Sequence, residues 1–211
     1  MVHRRQIDGN DVVFGNQGAL WGNAMTWFDY DTGSIWSQPI GEAIAGPHKG
    51  RTLELLPTNL THWSTWRETH PETLALDAPG GNARFDLQDM AIVVEFGDDV
   101  AAFRVTDLRA TGPANDVVAG APIAVVVDPT DEQRWEVYSR VLDDVVVELA
   151  VDGDLFVDTI TGSHFDPIVG RAVDGPLAGQ VLDRLPGFTS FPRDYRTFWP
   201  DGRFYEPVAA G

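Results

Sequence analysis

Cysteine is missing from all 211 residues of the chain. Its own side chains therefore offer no disulfide, no thiolate metal site and no thiol redox couple. Lysine is nearly missing too, with Lys49 as the only one. Lys and Arg together number 15 against 32 Asp and Glu, a formal charge of −17. Phosphate binding rests on clustered cations, so nucleic acid is excluded as an expected partner, and so is an anionic membrane surface. No apolar run approaches the length of a membrane span, and the start, MVHRRQIDG, lacks the apolar core of a signal peptide. The expected location is cytoplasmic, with export open if the natural N-terminus lies upstream.

Two readings of the acidity compete. One is a soluble acidic protein with good colloidal stability. The other is adaptation to a high-salt cytoplasm, where screening quenches the self-repulsion of the excess carboxylates. The scarcity of lysine favours the second, halophilic reading.

Glycine (21) and proline (14) are plentiful, which points to turns and short elements over long helices. Many of them recur at a fixed offset. Thr32–Pro71 aligns without a gap on Thr161–Pro200, 129 residues on, with thirteen identities in forty positions. Among them are Thr32/Thr161, Gly33/Gly162, Ser34/Ser163, Gly46/Gly175, Gly50/Gly179 and Pro57/Pro186, and Asp29/Asp158 extends the match upstream. Self-similarity at a long period predicts an internal pseudo-repeat. The shared residues are mostly backbone devices, with Thr-Gly-Ser reading as a tight turn after a strand.

Strands are expected at Asp11–Phe14 and Ala24–Phe28 in the first copy. In the second they are expected at Met90–Val94, Val100–Val105, Val117–Val118, Ile123–Val127, Val145–Val151 and Leu155–Val157. Gly97-Asp98-Asp99, Ala119-Gly120 and Asp152-Gly153-Asp154 supply the intervening turns. The first copy lacks a counterpart to Phe85–Val141. A helix is expected over Leu60–His70, capped by Thr58 or Thr61 and ended by Pro71, with Trp63 and Trp66 facing the core beside Leu60.

The expected fold is mainly β: two related units of short antiparallel strands, packed as barrel-like or curled sheets, with one short helix per unit. Residues 1–84 would hold a partial first unit and 85–211 a complete second one, together in one compact domain. Exposed strand edges in the incomplete copy would offer a surface for homo-oligomers.

Few residues invite a chemical role. The five histidines (His3, His48, His62, His70, His164) form no metal-ligand spacing, and are read as surface or capping residues. Ser34 and Ser37 lie in no nucleophile elbow. The aspartate pairs Asp98-Asp99, Asp143-Asp144 and Asp152/Asp154 do not follow a calcium-loop pattern and are read as hairpin turns. Gly15–Gly18 precedes no expected helix, so a phosphate loop is not expected. What remains is an aromatic and amide cluster, Tyr30, Trp36, Gln38, Trp63 and Trp66, joined by Ser34 as the lining of a ligand pocket. The second copy has Thr159, Phe165, Pro167, Pro192 and Tyr195 in place of those five, so bulk is partly kept and polar specificity lost.

The blocks Phe14–Gly18, Asp29–Gln38, Gly41–Pro47, Leu53–Pro57, Trp63–Trp66 and His70–Thr73 follow a familiar order. The chain resembles the DUF3179 family, a set of uncharacterised bacterial and archaeal proteins. The resemblance is specific over residues 11–76 and weaker, in the same order, from 90 to 207. It implies a Cys-Pro-x-Cys-type segment just before the Phe-Gly-x-x-Gly block, a place suited to redox or metal chemistry. This chain starts after that point and contains no cysteine, as a truncated or degenerate member would. The expected function is non-catalytic, structural or ligand-binding, without a cofactor, and with a small molecule or protein as partner. The alternative is a thiol-redox or metal-dependent enzyme whose active segment is missing.

Overall fold

The computed structural model describes residues 1–58, 60–75, 87–167 and 169–207. Strand and turn chemistry decide most of its local structure. At Ala119-Gly120 both residues take positive φ (49° and 80°), the conformation that matches a two-residue turn to strand twist. Ala114–Val118 and Ala121–Val127 pair across it with Val118 opposite Ala121. Gly97 (φ 59°) and Gly153 (φ 60°) likewise turn the hairpins Ala91–Phe96/Asp99–Arg104 and Leu149–Asp152/Leu155–Asp158.

The larger sheets stack in layers. The central one has the order Phe188–Ser190, Ala91–Phe96, Asp99–Arg104, Arg203–Phe204, antiparallel except for its last pair. Side chains alternate along each strand. Ile92, Val94, Ala101 and Phe103 therefore face one core, with Ile123, Val125 and Val137 of the sheet Trp135–Ser139/Ala121–Val127/Ala114–Val118. Ala91, Val93 and Ala102 face another, with Tyr195 of a helix, α3 (Pro192–Phe198). The reverse side of the second sheet, through Ala124, Val126 and Tyr138, packs on Leu149, Phe156 and Phe165 of a third, Leu149–Asp152/Leu155–Asp158/His164–Phe165. An N-terminal sheet, Phe14–Trp21/Ala24–Asp29/Ile35–Ser37/Ala43–Ala45, gathers its own core around Trp36, Val12 and Leu53.

This corrects the expected architecture. The sheets are open, and none closes into a barrel or curls strongly. No internal pseudo-repeat organises the fold either. Residues 14–45 form one four-stranded antiparallel sheet, whereas the aligned C-terminal stretch forms a three-stranded sheet that lacks the fourth strand and packs on the sheet Trp135–Ser139/Ala121–Val127/Ala114–Val118. What recurs at the offset is local, the turn with its strand pair (Trp27/Trp36 and Phe28/Ile35 against Phe156/Phe165 and Val157/His164) and a short helix, while the sheets around them differ. The expected boundary at residues 84/85, including Phe85, lies outside the described residues.

The helices also differ from expectation. α1 (Trp63–Thr69) is shorter than expected and its N-cap is His62, without a side-chain cap bond. Trp63 is 46% exposed and Leu60 37%, so the expected core face points largely outward. Trp66 stacks on His70 instead, with ring centroids 3.8 Å apart. A further helix, α2 (Val105–Thr111), continues directly from the strand ending at Arg104 and buries Val105 and Leu108. No described helix is long and apolar enough to cross a membrane.

Candidate ligand cleft beside the Gln38 loop

The Thr-Gly-Ser turn is built around a carboxylate. Asp29 ends its strand with its side chain fully buried. Its Oδ1 accepts from the Thr32 backbone N–H (2.6 Å) and hydroxyl (2.8 Å), and its Oδ2 from Trp36 Nε1 (2.9 Å). Burial alone pushes the carboxyl up, but the bonds from Trp36 and Thr32 outweigh it and hold Asp29 below the usual carboxylate range. Ser34 Oγ lies 2.6 Å from the Thr32 hydroxyl and accepts from His48 N–H (3.1 Å), which fastens the next loop.

The turn at Asp158 uses the same plan with one exchange. Thr161 donates to Asp158 Oδ2 through its hydroxyl (2.6 Å) and backbone N–H (3.0 Å), and Ser163 Oγ accepts from Leu177 N–H (3.0 Å). Phe165 has no N–H to offer where Trp36 does, and the Glu148 backbone N–H donates to Asp158 Oδ1 (2.7 Å). Here too hydrogen bonds, chiefly from Thr161, outweigh burial and lower the carboxyl pKa.

The structure separates the six residues expected to line a pocket. Trp36 and Ser34 are fully buried within the turn, their polar atoms engaged with Asp29, Thr32 and His48. Tyr30, two-thirds exposed, packs on Phe28. Trp63 and Trp66 belong to α1, whose N-cap His62 reaches Asp131 (3.5 Å). Gln38 is outside the lining of any described cavity, though its carbonyl holds His3 and its neighbours Pro39 and Ile40 line one. A cleft of about 330 Å³ opens beside its loop, lined by His3, Pro39, Ile40, Thr52, Leu53, Leu55, Glu95 and Gly97.

Three distant stretches make this cleft. The segment around His3 pairs with Leu55, and the Arg4 N–H donates to Glu54 O (2.8 Å). His3 Nε2 lies 3.0 Å from the Gln38 carbonyl, which fixes the ring against the loop. Gly41 is required here: its φ is 62°, and a Cβ would stand 2.7 Å from His3 Cε1. Glu95 and Gly97 enter from the central hairpin.

Both ionisable residues of the lining are driven toward neutrality. Burial lowers the His3 pKa, opposed by the carbonyls of Gln38 and Leu53 and assisted by the nearby chain terminus. Burial raises that of Glu95, opposed by a hydrogen bond to the Trp199 side chain. Sequence reasoning missed both. His3 reads as a surface histidine, and no spacing joins residue 3 to residue 95; only the tertiary pairing does.

Among the described residues no group of three or more His, Asp or Glu side chains is placed to hold a metal ion. Residues 1–88 match the family model described as "Protein of unknown function (DUF3179)". No curated protein and no solved structure matches the chain. The matched segment covers the N-terminal sheet, the Asp29 turn and most of the cleft lining, while Glu95 and Gly97 lie beyond it.

Proposed function

We propose that this is a non-catalytic ligand-binding protein of the DUF3179 type, whose cleft beside Gln38 takes a small uncharged molecule. One observation carries the reading: in a chain of formal charge −17, a cavity of about 330 Å³ has a histidine and a glutamate as its ionisable lining residues, and burial shifts both toward their neutral forms. Perturbed titratable groups converging on a concavity are what a binding site presents. Pro39, Ile40, Leu53 and Leu55 add apolar lining beside Thr52 and Gly97, which suits a partly hydrophobic ligand. The thiol-redox alternative has no support from these residues, since the chain contains no cysteine.

The test is a protein-observed NMR screen with a library of small neutral fragments. Binders should move the amides of Gln38, Ile40, Thr52 and Gly97 saturably. Ile40→Trp, which fills the cleft, should abolish those shifts. A library that never perturbs these four amides defeats the reading.

A further inference from the structure

The N-terminal sheet ends in an open edge. Its outer strand, Phe14–Trp21, is the longest described strand at eight residues. Among the described residues it pairs on one side only, with Ala24–Asp29. Residues 16–21 are all exposed, Leu20 at 70% and Trp21 at 45%. Which backbone groups face outward follows from antiparallel alternation. The Val13 carbonyl accepts from the Tyr30 N–H (3.0 Å) and the Ala19 carbonyl from the Thr26 hydroxyl (2.8 Å), so the odd-numbered residues turn inward. The tight turn at Gly22-Asn23 (φ 58° and 65°) does the same for Trp21, which pairs with Ala24. Phe14, Asn16 and Leu20 therefore present their N–H and C=O groups to the open edge.

A row of this kind is a template for another strand, and edges are commonly guarded by charge or proline. This strand has neither. No Asp, Glu, Lys, Arg or His lies between Asp11 and Asp29, in a chain where 22% of residues are charged. Its one irregularity is a bulge between Asn16 and Leu20, where the Asn16 and Gln17 side chains accept from the N–H groups of Gly18 (2.8 Å) and Ala19 (2.9 Å). That bulge lies midway between the open groups of Asn16 and Leu20. Antiparallel pairing of two copies about Gly18 sets Asn16 of each opposite Leu20 of the other, and the glycine holds no side chain between the backbones. Charge permits a copy here: two chains of formal charge −17 repel, and an uncharged strand lets them meet without setting carboxylates against each other.

We propose that Phe14–Trp21 is a homodimer interface, the strand pairing antiparallel with itself across a twofold axis at Gly18. The paired strands alone fall short of the roughly 1,200 Å² of a stable interface, so the dimer is reversible. Screening of the repulsion between the copies favours it.

Sedimentation velocity on the full chain, over a concentration series in dilute buffer and in molar sodium chloride, is the test. Dimer should form with rising concentration, and more readily in salt. Leu20→Lys, at a side chain already mostly exposed, should raise the dimer Kd at least tenfold. Leu74→Lys adds the same charge at a 93% exposed residue outside the strand and should leave the Kd unchanged. Leu20→Pro removes the outward N–H and should abolish the dimer; if it does not fold, the two lysine variants carry the test. The proposal falls if the chain stays monomeric in both buffers, or if Leu20→Lys dimerises like Leu74→Lys.

Discussion

Trp36 donates its indole N–H to Asp29 Oδ2 across 2.9 Å, and both side chains are fully buried. A buried carboxylate is tolerated only when its lone pairs are occupied, and here the tryptophan supplies the longest-range of those donors. Trp36→Phe keeps an aromatic ring, leaves Asp29 short of one bond and opens a small void. It should cost about 2–4 kcal/mol of stability, read as a lower denaturant midpoint with an unchanged m-value.

The same bond sets the acid limit. Asp29 and Asp158 are both held below the ordinary carboxylate range in the folded chain. Each therefore contributes stability that is fully present above the unfolded value, about 3.9, and is lost as pH falls through the lower folded value. Stability against pH should be level above about 5 from these groups and decline below about 4. In Trp36→Phe the Asp29 pKa rises toward its unfolded value and its share of that acid-dependent term shrinks. An acid limb identical in shape to the wild type would count against the bond.

Two glycines in one loop separate conformational from steric need. Gly46 has φ 92°, and a Cβ would stand 2.6 Å from Ser34 Cα, a backbone atom that cannot move aside. Gly50 has φ 85° but open space around it. Gly50→Ala should cost about 1–2 kcal/mol, the penalty for an L-residue in left-handed backbone. Gly46→Ala adds overpacking of about 1–3 kcal/mol to that penalty. Gly175 (2.6 Å from Ser163 Cα) and Gly179 (open) should behave as the corresponding pair. Equal midpoints for the Gly46 and Gly50 variants would show that the close approach does not matter.

How legible all this is in the sequence depends on the range over which each feature is decided. The hairpins at Gly97, Ala119-Gly120 and Gly153 are readable because the turn residues themselves force the chain to reverse. The Thr-Gly-Ser motif is readable as a turn for the same reason. Its interior is not: that Asp29 binds Trp36, and that Glu148 N–H replaces the indole at Asp158, depends on how strands come to rest. Trp63 and Trp66 illustrate the limit of periodicity, since an i, i+3 pair shares a helix face without any guarantee that the face is covered. α2 left only faint signs, Val105 and Leu108 one turn apart and Gly112 as a stop, with no capping side chain before it. Layering of open sheets is a matter of long-range packing, which is why the barrel expectation failed although most expected strands formed; Asp11–Phe14 is interrupted at Val12 and Val13, and Val145–Val151 is split into Val145–Val146 and Leu149–Asp152. The Gln38 cleft is the extreme case, with His3, Thr52 and Glu95 meeting only in the finished fold.

His164 is gripped by two carboxylates, Asp174 at its Nδ1 (2.9 Å) and Asp152 at its Nε2 (3.1 Å). Both ring nitrogens face acceptors, so the doubly protonated imidazolium fits. Hydrogen bonds to Asp174 and then Asp152 raise its pKa. A raised histidine stabilises the fold fully below its unfolded value near 6.5, and that contribution is lost as pH rises through the folded value. Chemical denaturation from pH 6 upward should show a fall in stability that His164→Gln abolishes. The imidazole titration, followed by NMR, should have its midpoint above 6.5. A midpoint at or below that value removes the argument.

The excess of carboxylates makes a prediction about salt with a definite sign. Net charge of −17 raises the free energy of the compact state through self-repulsion, which screening relieves. Salt also weakens attractive pairs, and the chain has exposed ones, such as Arg5–Asp11 and Arg51–Asp8. Each of those is worth about 0–1 kcal/mol at most. With 15 basic residues against 32 acidic ones, more than half the acids cannot be matched one to one by a cation. Repulsion among the remainder therefore dominates, and its loss on screening outweighs the loss of the pairs. The melting temperature should climb from dilute buffer to molar sodium or potassium chloride. Most of the climb should come while the Debye length falls from tens of ångströms to about 8 Å. Arg51→Gln, which deletes one attractive pair, should steepen the salt dependence slightly, since it raises the net negative charge. A melting temperature equal at both ends of the series would mean that the surface charges are already too far apart to repel, and the reading of the composition as salt adaptation would go with it.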